Sequence, residues 1–282
     1  MKFHNKHFSD IHTLTGSLSG KPVWIAGSDP TLDGYPENFF DDKTGITLHL
    51  AHIKFPRATY RYSSEYDRSK FLLEHNPEYA KLPLIAAFPM YGKTKKETAS
   101  LLSASEKVFF HRMVNYFPTG VRGEIELDYT IWKAARTRAN RASIWGSHGS
   151  CLHTCIYIAL LLGASEIHII GSGHGLVNSG GLDHFASVDS IHQHMRTGDT
   201  FSNPKIALPV IEQTLALKTA CEKNGVPFFW HDKHTPDMNT YVSISPEDFA
   251  DLKKRAQRTF PLIKRIYRFF LKRPIIRFLS RF

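Results

Sequence analysis

Four of the chain's 16 histidines, His174, His184, His192 and His194, crowd between Gly171 and Thr200. Imidazole is the side chain best suited to take a proton from an attacking hydroxyl near neutral pH, so this stretch is a candidate source of a general base. His192-x-His194 also has the spacing of half a metal site. No cysteine lies nearby in sequence and no His-Glu-x-x-His pattern occurs, so zinc is not expected there. His231-Asp-Lys-His234 is a second cluster that suits either a site edge or a solvated loop.

Two other segments suit anion or nucleotide binding. Gly27-Ser28-Asp29-Pro30-Thr31 follows a short apolar run, and a turn of small residues there brings backbone N–H groups close to a phosphate or ribose. The Gly-x-Gly-x-x-Gly fingerprint is absent, and Asp29 repels a phosphate at short range. Asp29 or Thr31 equally suits the cap of a following helix. Ser147-His148-Gly149-Ser150 precedes a strongly apolar stretch, and a helix starting there would offer unpaired N–H donors and partial positive charge. Ser147 or Ser150 equally suits an ordinary N-cap. Cys151 and Cys155, four residues apart on that helix, read as core residues.

These residues need elements to hold them. Pro22 to Gly27, Gly45 to His52, Ala58 to Ser64 and Lys81 to Met90 are strand-like, with a short helical stretch, EYDRSKFLLEH, between the last two. Cys151, Cys155, Ile158 and Leu162 share a helical stripe flanked by Leu152, Ile156 and Ala159, which predicts a largely buried helix stopped at Gly163. EIHIIG (Glu166 to Gly171) is a further strand, within which His168 reads as packed. Its carboxyl end runs into Ser172-Gly173-His174-Gly175. A helix from Pro204 or Lys205 to Asn224 and the strand VPFFWH complete an alternation of strands and helices. That alternation predicts an α/β fold, a Rossmann-like, mostly parallel sheet with helices on both faces, whose ligands sit outside the carboxyl ends of the strands.

Length and charge bound the function. The 282 residues, 42% of them hydrophobic, are ample for a core and exclude a disordered chain or a disulfide miniprotein. Of the 36 Lys and Arg, eleven lie in residues 253–282, where no Asp or Glu occurs; residues 1–252 hold 25 basic and 26 acidic side chains. The net charge of +10 therefore belongs to a terminal appendage. That distribution argues against a nucleic-acid partner, which is usually met by a basic folded face. Leu262, Ile263, Ile266, Phe269 and Phe270 recur at helical spacing among Lys264, Arg265, Arg268, Lys272 and Arg273. This is the pattern of a basic amphipathic helix lying on an anionic membrane surface. Three cysteines without framework spacing suit a reducing compartment. No signal-peptide h-region and no apolar run of about 18 residues are seen, so the expected location is the cytoplasm, peripheral on the inner face of the membrane. The domain reading is a polar, poorly packed arm (1–20), a nucleotide-binding catalytic domain (21–250) and a membrane-associating tail (251–282).

Together, IAGSDPTL, the HGSCLHTCIYIALLLGASEIHIIG unit, and the polar loop with its helix–strand ending resemble bacterial sialyltransferases of glycosyltransferase family 42. They are also similar to MptE-like (6-hydroxymethylpterin diphosphokinase-like) proteins and flagellin-modifying motility accessory factors. The resemblance covers about Pro22 to Trp230, and the central unit is its most specific part. It implies a Rossmann-like fold that binds a CMP-activated nonulosonic acid, with a histidine base and no obligatory metal. By position, Gly27 and Ser28 match the family's first nucleotide turn, where Ser28 and Asp29 replace Asn and Gly. Ser63 falls near a nucleotide-contacting asparagine, and Ser147, His148 and Gly149 match a donor-contacting Thr-Ser-Gly segment. Ser172 and His174 lie in the Ser-Gly-His that replaces the family's Gly-x-Asp. Residues 178–185 match a lid whose phosphate-holding tyrosines are absent here, with His184 the nearest substitute. The implied base is His192 or His194.

The resulting expectation is a peripheral membrane glycosyltransferase acting on a glycan or glycolipid of the cell surface. A homo-oligomer is left open. One alternative is an MptE-like pyrophosphokinase needing Mg²⁺ on carboxylates such as Asp29 and Asp183. Another is a non-catalytic nucleotide-binding protein recruited to the membrane by its tail.

Overall fold

The computed structural model describes residues 2–3, 6–91, 93–115, 143–146, 150–172, 214, 217–219 and 221–231. Ser147, His148, Gly149, His174, His184, His192 and His194 lie outside these residues, as does the whole tail with Lys264, Arg265, Arg268, Phe269, Phe270, Lys272 and Arg273.

A short antiparallel hairpin, β1 (Lys2–Phe3) and β2 (Lys6–His7), precedes the main sheet. The sheet strands are β3 (Ser9–Asp10), β4 (Pro22–Ala26), β5 (Thr44–Leu48), β6 (Tyr60–Glu65), β7 (Leu84–Tyr91), β8 (Val108–Asn115), β9 (Ser143–Gly146), β10 (Glu166–Ile170) and β11 (Phe228–Trp230). The order is β11-β10-β4-β5-β6-β7-β8-β3, with β9 paired to β8. Every pairing in this sheet is parallel. The expected Rossmann-like α/β sheet is therefore present, with all of its described strands running one way. Parallel strands covered on both faces read as continuous apolar runs, as Leu84 to Phe88 does, with every residue buried.

Alternation divides each strand between two cores. Val23, Ile25, Ile46, Leu48, Tyr60, Tyr62, Ile167 and Ile169 point to one face, where α5 (Cys151–Leu162) packs on them. The helical residues Leu217 and Cys221 share that face, and the His153 ring lies 2.9 Å from the Thr214 hydroxyl. The opposite face carries α1 (Ala51–Lys54), α2 (Tyr66–His75), α3 (Pro77–Lys81) and α4 (Lys95–Leu102) over Trp24, Ala26, Leu84 and Ala86. There Arg61 is wholly buried under the Tyr79 ring, 3.9 Å from its centroid, and donates to the carbonyls of Leu82 and Ala80. α5 is uncharged and buried on almost every side; Ser150 caps its start by accepting from the Leu152 N–H. Gly163 ends it at φ +88°, the left-handed position only glycine takes without strain. No described helix is long and apolar enough to cross a membrane.

Two expectations are corrected. The 1–20 segment is not a poorly packed arm from Phe8 onward, because Phe8, Ile11, Leu14 and Leu18 are buried and β3 extends the sheet. Gly16 and Leu18 donate backbone hydrogen bonds to Leu161 and Leu162, so the segment wraps the carboxyl end of α5. Its apolar residues are spaced for a 3-10 turn and a wrap, which carries no helical or strand period. The strand predicted to reach His52 stops at Leu48: His49 has φ +45°, and the chain turns into α1 so that Leu50 and Ala51 enter the second core.

Candidate functional site

The chain leaves β4 for β5 on one side and returns much later to place β10 on the other. Such a reversal of strand order opens a crevice outside the carboxyl ends of the two strands. At this point the turn after β4 and the loop after β10 meet. Gly27 N–H donates to the Ile170 carbonyl and Asp29 N–H to the Gly171 carbonyl, both at 2.9 Å, so the two segments are zipped together. A Cβ on Gly27 would stand 2.2 Å from the Gly171 oxygen and 2.3 Å from Ser172 Oγ. Gly171 itself has φ +62°, and a Cβ there would meet Leu32 at 2.5 Å. Both glycines are thus required by close approach. Ser28 and Asp29 are half-buried and Ser172 is buried at the same edge.

Of the residues singled out in the sequence, Gly27, Ser28, Asp29 and Ser172 meet here. Asp29 acts as the cap foreseen for it: its Oδ1 accepts from the Thr31 N–H at 3.0 Å and starts the 3-10 turn Pro30–Gly34. Ser63 is different. Its hydroxyl is fully buried, held among Ser69 Oγ, the Glu65 carbonyl and His49 Nδ1, so it serves the protein's interior. His168 is packed, as expected, between Trp24 (4.1 Å between ring centroids, 12° interplanar) and Phe229 (4.6 Å, 10°). These three occupy one register line across β4, β10 and β11. Burial holds His168 below the usual histidine range, with Glu166 opposing. His231 is also buried, with its Nε2 3.2 Å from His168 Nδ1, and belongs to this stack; His234 lies outside the described residues.

A second polar cluster stands at the carboxyl ends of the neighbouring strands. His49, just past β5, lies with Nε2 3.1 Å from Cys151 Sγ and 3.7 Å from Glu65 Oε1. Ser64 Oγ is 2.9 Å from the same sulfur, and Arg68 Nε holds Glu65 Oε2 at 2.9 Å. Burial lowers the His49 imidazole to about 4, with Glu65 opposing and Arg68 assisting. Burial, with Glu65, pushes the Cys151 thiol up to about 12 against the hydrogen bond from Ser64. Both groups are therefore neutral at pH 7, which leaves the imidazole lone pair available. Cys155 is a core residue as its spacing suggested, and half-buried Cys151 packs against the same core while its sulfur meets the polar cluster. Sequence reading missed His49 and Glu65. The signal available was a polar residue at the carboxyl end of each of two adjacent strands, His after Thr-Leu and Glu after Ser-Ser. Comparison with family models and with curated proteins finds no match for the chain.

Proposed function

We propose that the chain is a nucleotide-sugar-dependent glycosyltransferase of the sialyltransferase type, working at an anionic membrane surface. The observation that carries this is the reversal of strand order between β4 and β10, where Gly27 and Gly171 bring no side chains and Ser28 and Ser172 stand beside them. Glycines and small hydroxyls at a strand-order reversal suit the close approach of a nucleotide's ribose and phosphate. The Ser147–Gly149 segment, just ahead of α5, is assigned the donor as the resemblance implies.

In the proposed reaction, His192 or His194 takes the proton of an acceptor hydroxyl, whose oxygen attacks the anomeric carbon. The glycosidic C–O bond to CMP breaks, and the electron pair leaves on the phosphate, with His184 donating a hydrogen bond to it. The tail would keep the domain near a lipid-linked or surface-bound acceptor. A Mg²⁺-dependent pyrophosphokinase is less well supported, because Asp29 Oδ1 is engaged with the Thr31 N–H.

Thermal-shift measurement with CMP, other nucleotides and nucleotide sugars tests binding, and release of CMP from CMP-sialic acid with oligosaccharide acceptors tests turnover. CMP compounds should raise the melting temperature, and the double variant His192→Ala/His194→Ala should lose turnover while keeping that shift. Stabilisation by no nucleotide would sink the proposal; unchanged turnover in the double variant would remove both histidines from the base role.

A further inference from the structure

We propose that His49 Nε2, Cys151 Sγ and the Glu65 carboxylate bind one Zn²⁺ ion. The three donor atoms lie within 4.8 Å of one another although they come from the turn after β5, from β6 and from α5. Tetrahedral zinc with bonds of about 2.0–2.3 Å sets its ligand atoms about 3.4–3.6 Å apart. The His49–Cys151 and His49–Glu65 separations of 3.1 and 3.7 Å are within about 0.5 Å of that spacing. One thiolate, one imidazole and one carboxylate make a donor set that suits zinc and disfavours Mg²⁺ or Ca²⁺, which take oxygen.

The surroundings are those of a ligand set already aimed. Ser63 Oγ stands within hydrogen-bond reach of Ser69 Oγ, the Glu65 backbone and His49 Nδ1; in the tautomer with the proton on Nδ1, the Nε2 lone pair faces the sulfur. Arg68 Nε holds Glu65 Oε2, and Oε1 lies 3.7 Å from His49 Nε2. Ser64 can donate to the sulfur, the contact that steadies a metal-bound thiolate. Each ligand also sits on a break in regular backbone. His49 has φ +45°, the β6–β7 register shifts between Ser63 and Glu65, and Cys151 is the first residue of α5. A histidine at positive φ is held there by its surroundings, and such positions gather at functional sites. Binding breaks the thiol S–H bond, forms Zn–S and releases one proton to solvent.

The test uses the full chain, stripped with chelator and titrated with Zn²⁺ against a chromophoric competitor, with Co²⁺ as spectroscopic probe. One equivalent should bind, and the cobalt complex should show a thiolate-to-metal charge-transfer band. Cys151→Ser and His49→Asn should each weaken binding at least about tenfold and abolish or shift that band, asparagine being chosen because it tolerates positive φ. Wild-type affinity in Cys151→Ser, or binding lost only in the His192→Ala/His194→Ala variant, would overturn the site. A variant that fails to fold is replaced by alkylation of the native chain. Zn²⁺ should slow iodoacetamide at Cys151, and unchanged labelling would equally overturn the proposal.

Discussion

Gly27 and Gly171 approach so closely that a methyl group on Gly27 would lie 2.2 Å from the Gly171 carbonyl oxygen. The obstacle is backbone that is itself hydrogen-bonded to the turn, so it cannot swing aside as a side-chain tip could. Gly27→Ala should cost about 1–3 kcal/mol, the usual penalty for overpacking, and should remove any stabilisation by CMP. Urea unfolding of the two forms, with and without nucleotide, measures both effects. An unchanged midpoint would mean that the two loops separate freely.

The amino-terminal segment should behave as core. Ile11 is fully buried against α5 and the sheet, whereas Lys21 is exposed. Ile11→Ala is expected to destabilise by about 2–5 kcal/mol and Lys21→Ala by less than about 0.5. Equal, small effects in chemical denaturation would restore the picture of a dispensable arm.

His52 should make the protein acid-sensitive. It is buried against the Tyr79 ring, neither ring nitrogen has a hydrogen-bond partner among the described residues, and burial followed by the charge of Arg61 lowers it to about 4. The unfolded chain binds its proton near 6.5, so between about 6.5 and 4 the unfolded state carries more protons than the folded one. Stability from this residue is full above 6.5, falls as pH falls through that window, and is lost by roughly 3 kcal/mol at the bottom of it. His52→Phe should flatten this part of the stability–pH curve. Parallel curves for the two proteins would show that the ring is not held neutral.

Removal of residues 253–282 takes eleven basic and no acidic side chains from the chain and changes its net charge from +10 to −1. The truncated protein should no longer float with phosphatidylserine vesicles, and binding by the full chain should weaken as salt is raised. Flotation that survives truncation would assign the membrane contact to the body.

Much of the sheet could be read from the sequence, because strands buried on both faces must be short, apolar and β-branched or aromatic, as Pro22 to Ala26 and Glu166 to Ile170 are. α5 was equally legible, since an uncharged stretch ending in glycine has few other ways to bury itself. Phe8 to Leu18 was not, because its buried residues follow a wrap around α5 and no repeating period. The end of β5 was missed for a related reason: the positive φ of His49 is imposed by its neighbours and leaves no local mark.

By itself the sequence determined the α/β alternation, the buried helix and the separation of a basic tail from a near-neutral body, and it narrowed the cap after β4 to Asp29 or Thr31. Those properties depend on residues near one another along the chain, where period, capping and charge density act directly. Only the tertiary structure decided that Gly27 meets Gly171 and that His49, Glu65 and Cys151 converge. It likewise turned Ser63 inward and set the Cys151 sulfur, at the edge of the core, beside His49 and Ser64. Parallel strands bring the ends of distant segments to one edge of a sheet, and strand order, which short-range preferences do not encode, selects which of them become neighbours.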